Sequence, residues 1–94
     1  MASTHHVDYR LLIEMLRETR EGEDVAQTEL AQTLGTTQTF VSKVERGERR
    51  LDPVELTEFL EALGVQPEAW LKKYLASRRE LHRKQEVRRK VSAL

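Results

Sequence analysis

At 94 residues the chain has room for one compact domain plus an appendage, since a self-sufficient core takes on the order of 100 residues, and a two-domain enzyme is not expected. It has no cysteine, which removes disulfide frameworks, thiol catalysis and cysteine-ligated zinc and makes a reducing cytoplasm the expected setting. The net charge of zero hides an asymmetry: residues 1–71 carry seven Lys/Arg against fourteen Asp/Glu, whereas residues 72–94 carry nine against two.

Helical periodicity runs throughout, with no sustained apolar/polar alternation, so the fold class is all-α. Residues 1–6 read as a disordered lead-in. A first helix is expected from Val7 to Glu21, with Leu12, Met15, Leu16 and Thr19 on one face, Glu14, Arg17, Glu18 and Glu21 largely on the other, and Gly22 as its stop. After a short connection from Glu23 to Val25, Ala26 to Leu34 forms a brief helix with Leu30, Ala31 and Leu34 inward, closed by Gly35 where a left-handed backbone is easiest. A third helix starts on Thr37 as N-cap, places Val41 and Val44 on one side and stops by Gly47. Beyond the polar link from Glu48 to Leu51, Asp52-Pro53-Val54-Glu55 supplies an acidic N-cap, proline at the first helical position and glutamate at the third. Leu56, Phe59, Leu60 and Leu63 form the buried stripe of this fourth helix, and Gly64 ends it. A longer last helix opens at Gln66-Pro67-Glu68 and runs to about Arg89. The compact domain is expected over residues 7–76 and a basic helical extension over 77–94.

Two short helices therefore flank one tight turn, and the segment QTELAQTLGTTQTFVSKVERG, Gln27 to Gly47, carries it. Ala31 is small where two helices approach closely, Gly35 permits the turn, and Val41 with Val44 anchors the second helix. This segment closely resembles the helix-turn-helix of the phage repressor and Cro (XRE-like) family, and the resemblance extends over roughly residues 9–71. It implies a five-helix repressor-like domain with an extended basic C-terminal helix. It also implies a recognition helix, about residues 37–46, that enters the major groove of double-stranded DNA.

Position by position, the resemblance assigns Gln38, Thr39 and Lys43 to base edges, with Ser42 a weaker candidate and Thr37 at the helix entrance. Their chemistry suits that role: Gln38 can pair with adenine, Lys43 can donate to guanine, and Thr39 offers a hydroxyl and a methyl. Taken alone, these side chains would be an ordinary solvated helix face. Phosphate contacts are implied for Gln27, for Phe40 and its backbone region, and for Arg46, Arg49 and Arg50, the last two having plain loop charges as their alternative. Arg20 and Glu45 stand where the family places a structural ion pair. One departure is that Ala26 stands where the family has a hydroxyl N-cap, leaving Asp24 or water as the replacement.

Repressors of this type generally work as homodimers, so a pairing surface is expected. Trp70, Tyr74, Leu75 and Leu81 are its candidates, although Trp70 and Leu71 alternatively close the core under the fourth helix. The basic run from Arg78 to Lys90 either adds phosphate contacts, meets the acidic face of a partner subunit, for which Glu55, Glu58 and Glu61 are the complement, or stays solvated. The rival function is a protein-interaction module, an antitoxin or anti-repressor binding a partner protein through that helix. No enzyme is expected: His5, His6 and His82 lack ligand spacing with carboxylates, there is no glycine-rich phosphate loop, and neither catalytic residue, metal nor cofactor is assigned. No apolar run approaches the roughly 18 residues that span a bilayer, and the opening segment with Asp8 is unlike a secretory signal.

Overall fold

Helix ends leave backbone amides without partners, and the positions of caps explain where this chain's helices begin. The computed structural model of the chain describes residues 6–92, with helices α1 (Val7–Gly22), α2 (Gln27–Leu34), α3 (Gln38–Glu45), α4 (Pro53–Ala62) and α5 (Pro67–Ser92) and no strand among the described residues. His6 Nδ1 accepts from the Asp8 amide at 3.1 Å, Thr37 Oγ1 from the Phe40 amide at 3.1 Å and Asp52 Oδ1 from the Glu55 amide at 2.8 Å. Glu55 returns a bond to the Asp52 amide at 3.0 Å, completing a capping box with Pro53 in the first turn. Of the expected lead-in, residues 1–5, His5 among them, lie outside the described residues.

Two helix ends depart from expectation. Gly22 remains helical, and Asp24, at φ 58°, takes the left-handed position instead, while the Val25 amide reaches back to the Arg20 carbonyl at 3.2 Å. Asp24 thus ends α1 and does not cap α2, whose N-cap Ala26 has no side-chain bond; only Glu29 Oε1 accepts from the Ala26 amide, at 3.1 Å. Gly35 behaves as expected. At φ 70° it lets the chain reverse within three residues between α2 and α3, and the Thr36 amide closes on the Ala31 carbonyl at 2.9 Å.

α1 packs against α3 on one flank and α5 on the other, while α2 packs on α3 and α4. That double duty makes its buried stripe wider than the expected Leu12, Met15, Leu16 and Thr19. Tyr9, Ile13 and Leu16 are buried and Arg20 continues their row towards α3, whereas Asp8, Leu12, Met15 and Thr19 form the row towards α5. Leu30, Ala31, Val41, Val44, Phe59, Leu60 and Leu63 complete the centre.

Trp70 and Tyr74 belong to that core, stacked on each other with ring centroids 6.1 Å apart. The Trp70 indole N–H donates to Thr19 Oγ1 at 2.8 Å, whose hydroxyl donates onward to the Met15 carbonyl at 2.8 Å, and the Tyr74 hydroxyl donates to the Asp8 carbonyl at 2.9 Å. Burial raises the Tyr74 pKa, with the Asp8 charge adding to it. These two are corrected from pairing surface to core, because both rings are buried and α1 supplies an acceptor for each polar atom. Leu71 makes the opposite correction: it is exposed, as is Leu75, while Leu81 is half-buried.

α5 runs unbroken through residue 77, and its 26 residues, about 39 Å at 1.5 Å per residue, stretch the molecule to 53 × 25 × 22 Å. Asp8 pins it to α1 beyond Tyr74: Arg78 Nε lies 3.0 Å from Oδ2 and His82 Nε2 2.7 Å from Oδ1. No helix among the described residues is long and apolar enough to cross a membrane.

Candidate nucleic-acid interface

α3 is two-sided. Val41 and Val44 are fully buried, whereas Thr37, Gln38, Thr39 and Lys43 are exposed on the other side and Ser42 is half-buried between them. All five expected base-contacting residues therefore share one helix and its entrance. The Thr37 cap accepts from the Phe40 amide, leaving its hydroxyl proton directed elsewhere.

Behind this surface a polar chain fixes the orientation of α3. Arg20 grips Glu45 with two bonds, Nε to Oε2 at 2.6 Å and Nη2 to Oε1 at 3.0 Å, and donates from Nη1 to the Val25 carbonyl at 2.7 Å. Their side chains are only 11% and 5% exposed, so the pair is held between α1 and α3. The Glu45 hydrogen bond raises the Arg20 pKa against the opposing effect of burial. Gln27 Nε2 joins by donating to Glu45 Oε1 at 2.9 Å, and Gln27 Oε1 accepts from Gln38 Nε2 at 3.1 Å. Gln27, expected on phosphate, therefore links the buried pair to the exposed Gln38 and aligns its amide. The uncapped start of α2 leaves its first amides open to an anion.

The expected phosphate contacts separate into two groups. Phe40 is half-buried: its amide donates to Thr37, and its ring lies 6.2 Å from Phe59 with the Arg49 guanidinium 5.1 Å above it. The arginines are exposed and sit in exchangeable pairs. Arg46 meets Glu48 at 2.6 Å and also donates to Ser42 Oγ, Arg49 meets Glu55 at 2.6 Å and also donates to the Arg50 carbonyl, and Arg50 lies 4.4 Å over the Tyr9 ring. The Arg46 guanidinium holds the Glu48 carboxyl below the usual carboxylate range, and Arg49, with help from the Asp52 amide, does the same to Glu55. Among the described residues no cluster of three or more His, Asp or Glu side chains is placed to hold a metal ion.

The helix-turn-helix family profile matches residues 16–70, more than half of the chain, spanning α2, the turn, α3 and α4. The chain belongs to the XRE-like helix-turn-helix family. Among solved structures it is similar to an XRE-family like protein from Pseudomonas syringae pv. tomato, with 42% identity, a TM-score of 0.74, and 78% of this chain and 89% of that one covered. It is also similar to the restriction-modification controller protein C.AhdI from Aeromonas hydrophila, at 29% identity and TM-score 0.60, covering 70% of this chain and 99% of that one. The clp gene regulator ClgR from Corynebacterium glutamicum shares the fold at 24% identity and TM-score 0.69, with 85% of each chain covered. A search of curated proteins gave no match. The chain is thus a DNA-binding transcriptional regulator and not an enzyme.

Sequence reasoning missed Tyr9, whose hydroxyl accepts from the Leu51 amide at 2.9 Å and so clips the loop after α3 onto α1. Its signal was present: Tyr9, Ile13, Leu16 and Arg20 repeat at helical spacing.

Proposed function

We propose that the chain is a cytoplasmic repressor that binds a palindromic operator as a homodimer, with α3 in the major groove. The observation that carries this reading is the exposure of Gln38, Thr39 and Lys43 on a helix whose other face is fully buried and whose angle is set by the Arg20–Glu45 pair. Preorganised side chains of this kind read base edges without a large ordering cost. Gln27, Arg46, Arg49 and Arg50 hold register on phosphates, Arg46 and Arg49 by exchanging their carboxylate partners for the stronger field of the backbone. Occupancy of the groove by itself excludes competing proteins, which favours repression.

Pairing is proposed through Leu71 and Leu75, 43% and 40% exposed, and Val54, 67% exposed. Leu71 borders an apolar groove of about 750 Å³ walled by Tyr9, Leu12, Leu51 and Leu56. Two protomers joined there would address half-sites about 34 Å apart. The test is sequence selection from random double-stranded DNA. A palindrome should be recovered, and Gln38→Ala or Lys43→Ala should each relax preference at particular positions by about 1 to 3 kcal/mol. Unchanged operator choice in both variants would overturn the assignment of α3.

A further inference from the structure

On its outer side α5 carries a pattern that becomes its own complement when the helix is reversed. Glu68, Leu71, Leu75 and Arg79 are all exposed and fall within about 80° of one another at 3.6 residues per turn, so they form one strip running acid, apolar, apolar, base. Trp70 and Tyr74, buried in the core, hold the other side of the same turns. Three of the four strip residues follow residue 70, where the match to the helix-turn-helix family ends.

The two charges are left over by the fold. Glu68 and Arg79 make no ion pair among the described residues, whereas their neighbours do: Arg78 is held by Asp8 at 3.0 Å and Arg83 by Glu80 at 2.6 Å. Glu55, expected as an acidic complement to this helix, is taken by Arg49 at 2.6 Å. Glu68 and Arg79 cannot pair with each other, because eleven residues of one helix keep them about 16 Å apart along its axis. Lys72 lies at the rim of the strip, where water screens it, and Glu86 stands about 10 Å beyond Arg79 along the axis.

We infer that the strip is covered by α5 of a second copy lying antiparallel, with Leu71 against the partner's Leu75. That register sets Glu68 opposite residues 78 and 79 of the partner, and because Arg78 is committed to Asp8, Arg79 meets the acid. The two-fold axis repeats the contact, giving two ion pairs around four leucines. A DNA backbone suits this strip poorly, since Glu68 repels phosphate and the leucines stay wet against it. The inference rests on the homodimer proposed above and adds what sets its register and its choice of partner. A chain with an equally apolar helix but another order of charges meets like charges and is rejected.

The test is a charge swap, read by sedimentation equilibrium of the full chain at low salt, with thermal melts to confirm folding. Glu68→Arg and Arg79→Glu should each weaken self-association about tenfold, since either change sets like charges against each other twice per dimer. An equimolar mixture of the two variants should pair as tightly as the parent, because each then meets an opposite charge at both contacts. Lys84→Glu reverses a charge on the opposite side of α5 and should change pairing by less than about twofold. Variants that pair as the parent does, or a mixture that pairs no better than either variant alone, would overturn the register and leave a homodimer held by the leucines. Equal weakening by Lys84→Glu would reduce the effect to net charge and also overturn it. So would an Arg79→Glu chain that pairs normally but shows a flatter salt dependence of DNA binding, which would move Arg79 to phosphate. A parent chain that stays monomeric both free and on its selected duplex would remove the homodimer and the register together.

Discussion

Each end of α1 is tied to another helix by charged side chains, but the two ties differ in kind. At the C-terminal end Arg20 and Glu45, 11% and 5% exposed, join α1 to α3 through two bonds of 2.6 and 3.0 Å, with Gln27 and the Val25 carbonyl filling remaining valences. At the N-terminal end Asp8 meets Arg78 and His82 of α5, whose side chains are 40% and 44% exposed. A buried, fully satisfied pair tolerates no substitute partner, while an exposed one competes with water and salt. The first fixes α3, the proposed recognition helix; the second restrains a long helix that has little else to pack against past Tyr74.

The largest effect should come from breaking the buried tie. Glu45→Ala strands the Arg20 guanidinium and removes the acceptor of Gln27, which should cost about 3 kcal/mol and lower Tm by on the order of 15 °C. Because Gln27 aligns Gln38, the loss of sequence preference should exceed what the drop in folded fraction explains. Calorimetry and competition binding well below Tm separate the two. A stability change under about 0.5 kcal/mol would mean that the pair is no stronger than a surface bridge.

The exposed tie should be weaker and sensitive to pH. The His82 hydrogen bond, with Arg78 assisting and burial opposing, lowers the Asp8 pKa from its ordinary 3.8. A carboxylate with a depressed folded-state pKa contributes stability that is present above the unfolded value and lost as pH falls through the folded value. Asp8→Asn should therefore cost under about 1 kcal/mol near neutrality, and the difference from the parent should close as the pH falls through the lowered Asp8 pKa. Taking the difference cancels the other carboxylates. Hydrogen exchange at residues 78–82 locates the effect, and a difference that persists undiminished in acid would assign it to something other than the Asp8 charge.

Much of this architecture was readable because its signals are local. Asp52, Pro53 and Glu55 announce α4 within four residues, Gly35 marks the turn, and Val41 with Val44 identifies the buried side of α3. The exposed candidates on α3 followed from the same segment, together with the resemblance of its motif. What escaped depends on residues distant in sequence. Asp8 meets His82 across 74 positions, and Trp70 turns inward because Thr19 offers an acceptor 51 positions away. The pattern around residues 70–75 contains apolar side chains in every direction, so spacing alone left open which of Trp70, Leu71, Tyr74 and Leu75 would be buried.

The smallest effect concerns the end of α1 next to Arg20, and its sign is diagnostic. Were Gly22 the left-handed terminator that its position suggests, alanine there would be strained and destabilising. In the structure Gly22 is still helical, Asp24 carries φ 58°, and a Cβ placed on Gly22 would meet nothing within 4 Å. Gly22→Ala should then stabilise the protein by about 0.5 kcal/mol, somewhat under the full helix-interior difference because the site is in the last turn. Since α1 would be stiffened beside the buried tie and not at Asp8, DNA affinity should hold while Tm rises by roughly 2–4 °C. A fall in Tm would show that the chain turns at Gly22, which would shift Val25 and with it the carbonyl that Arg20 uses to hold Glu45 in place.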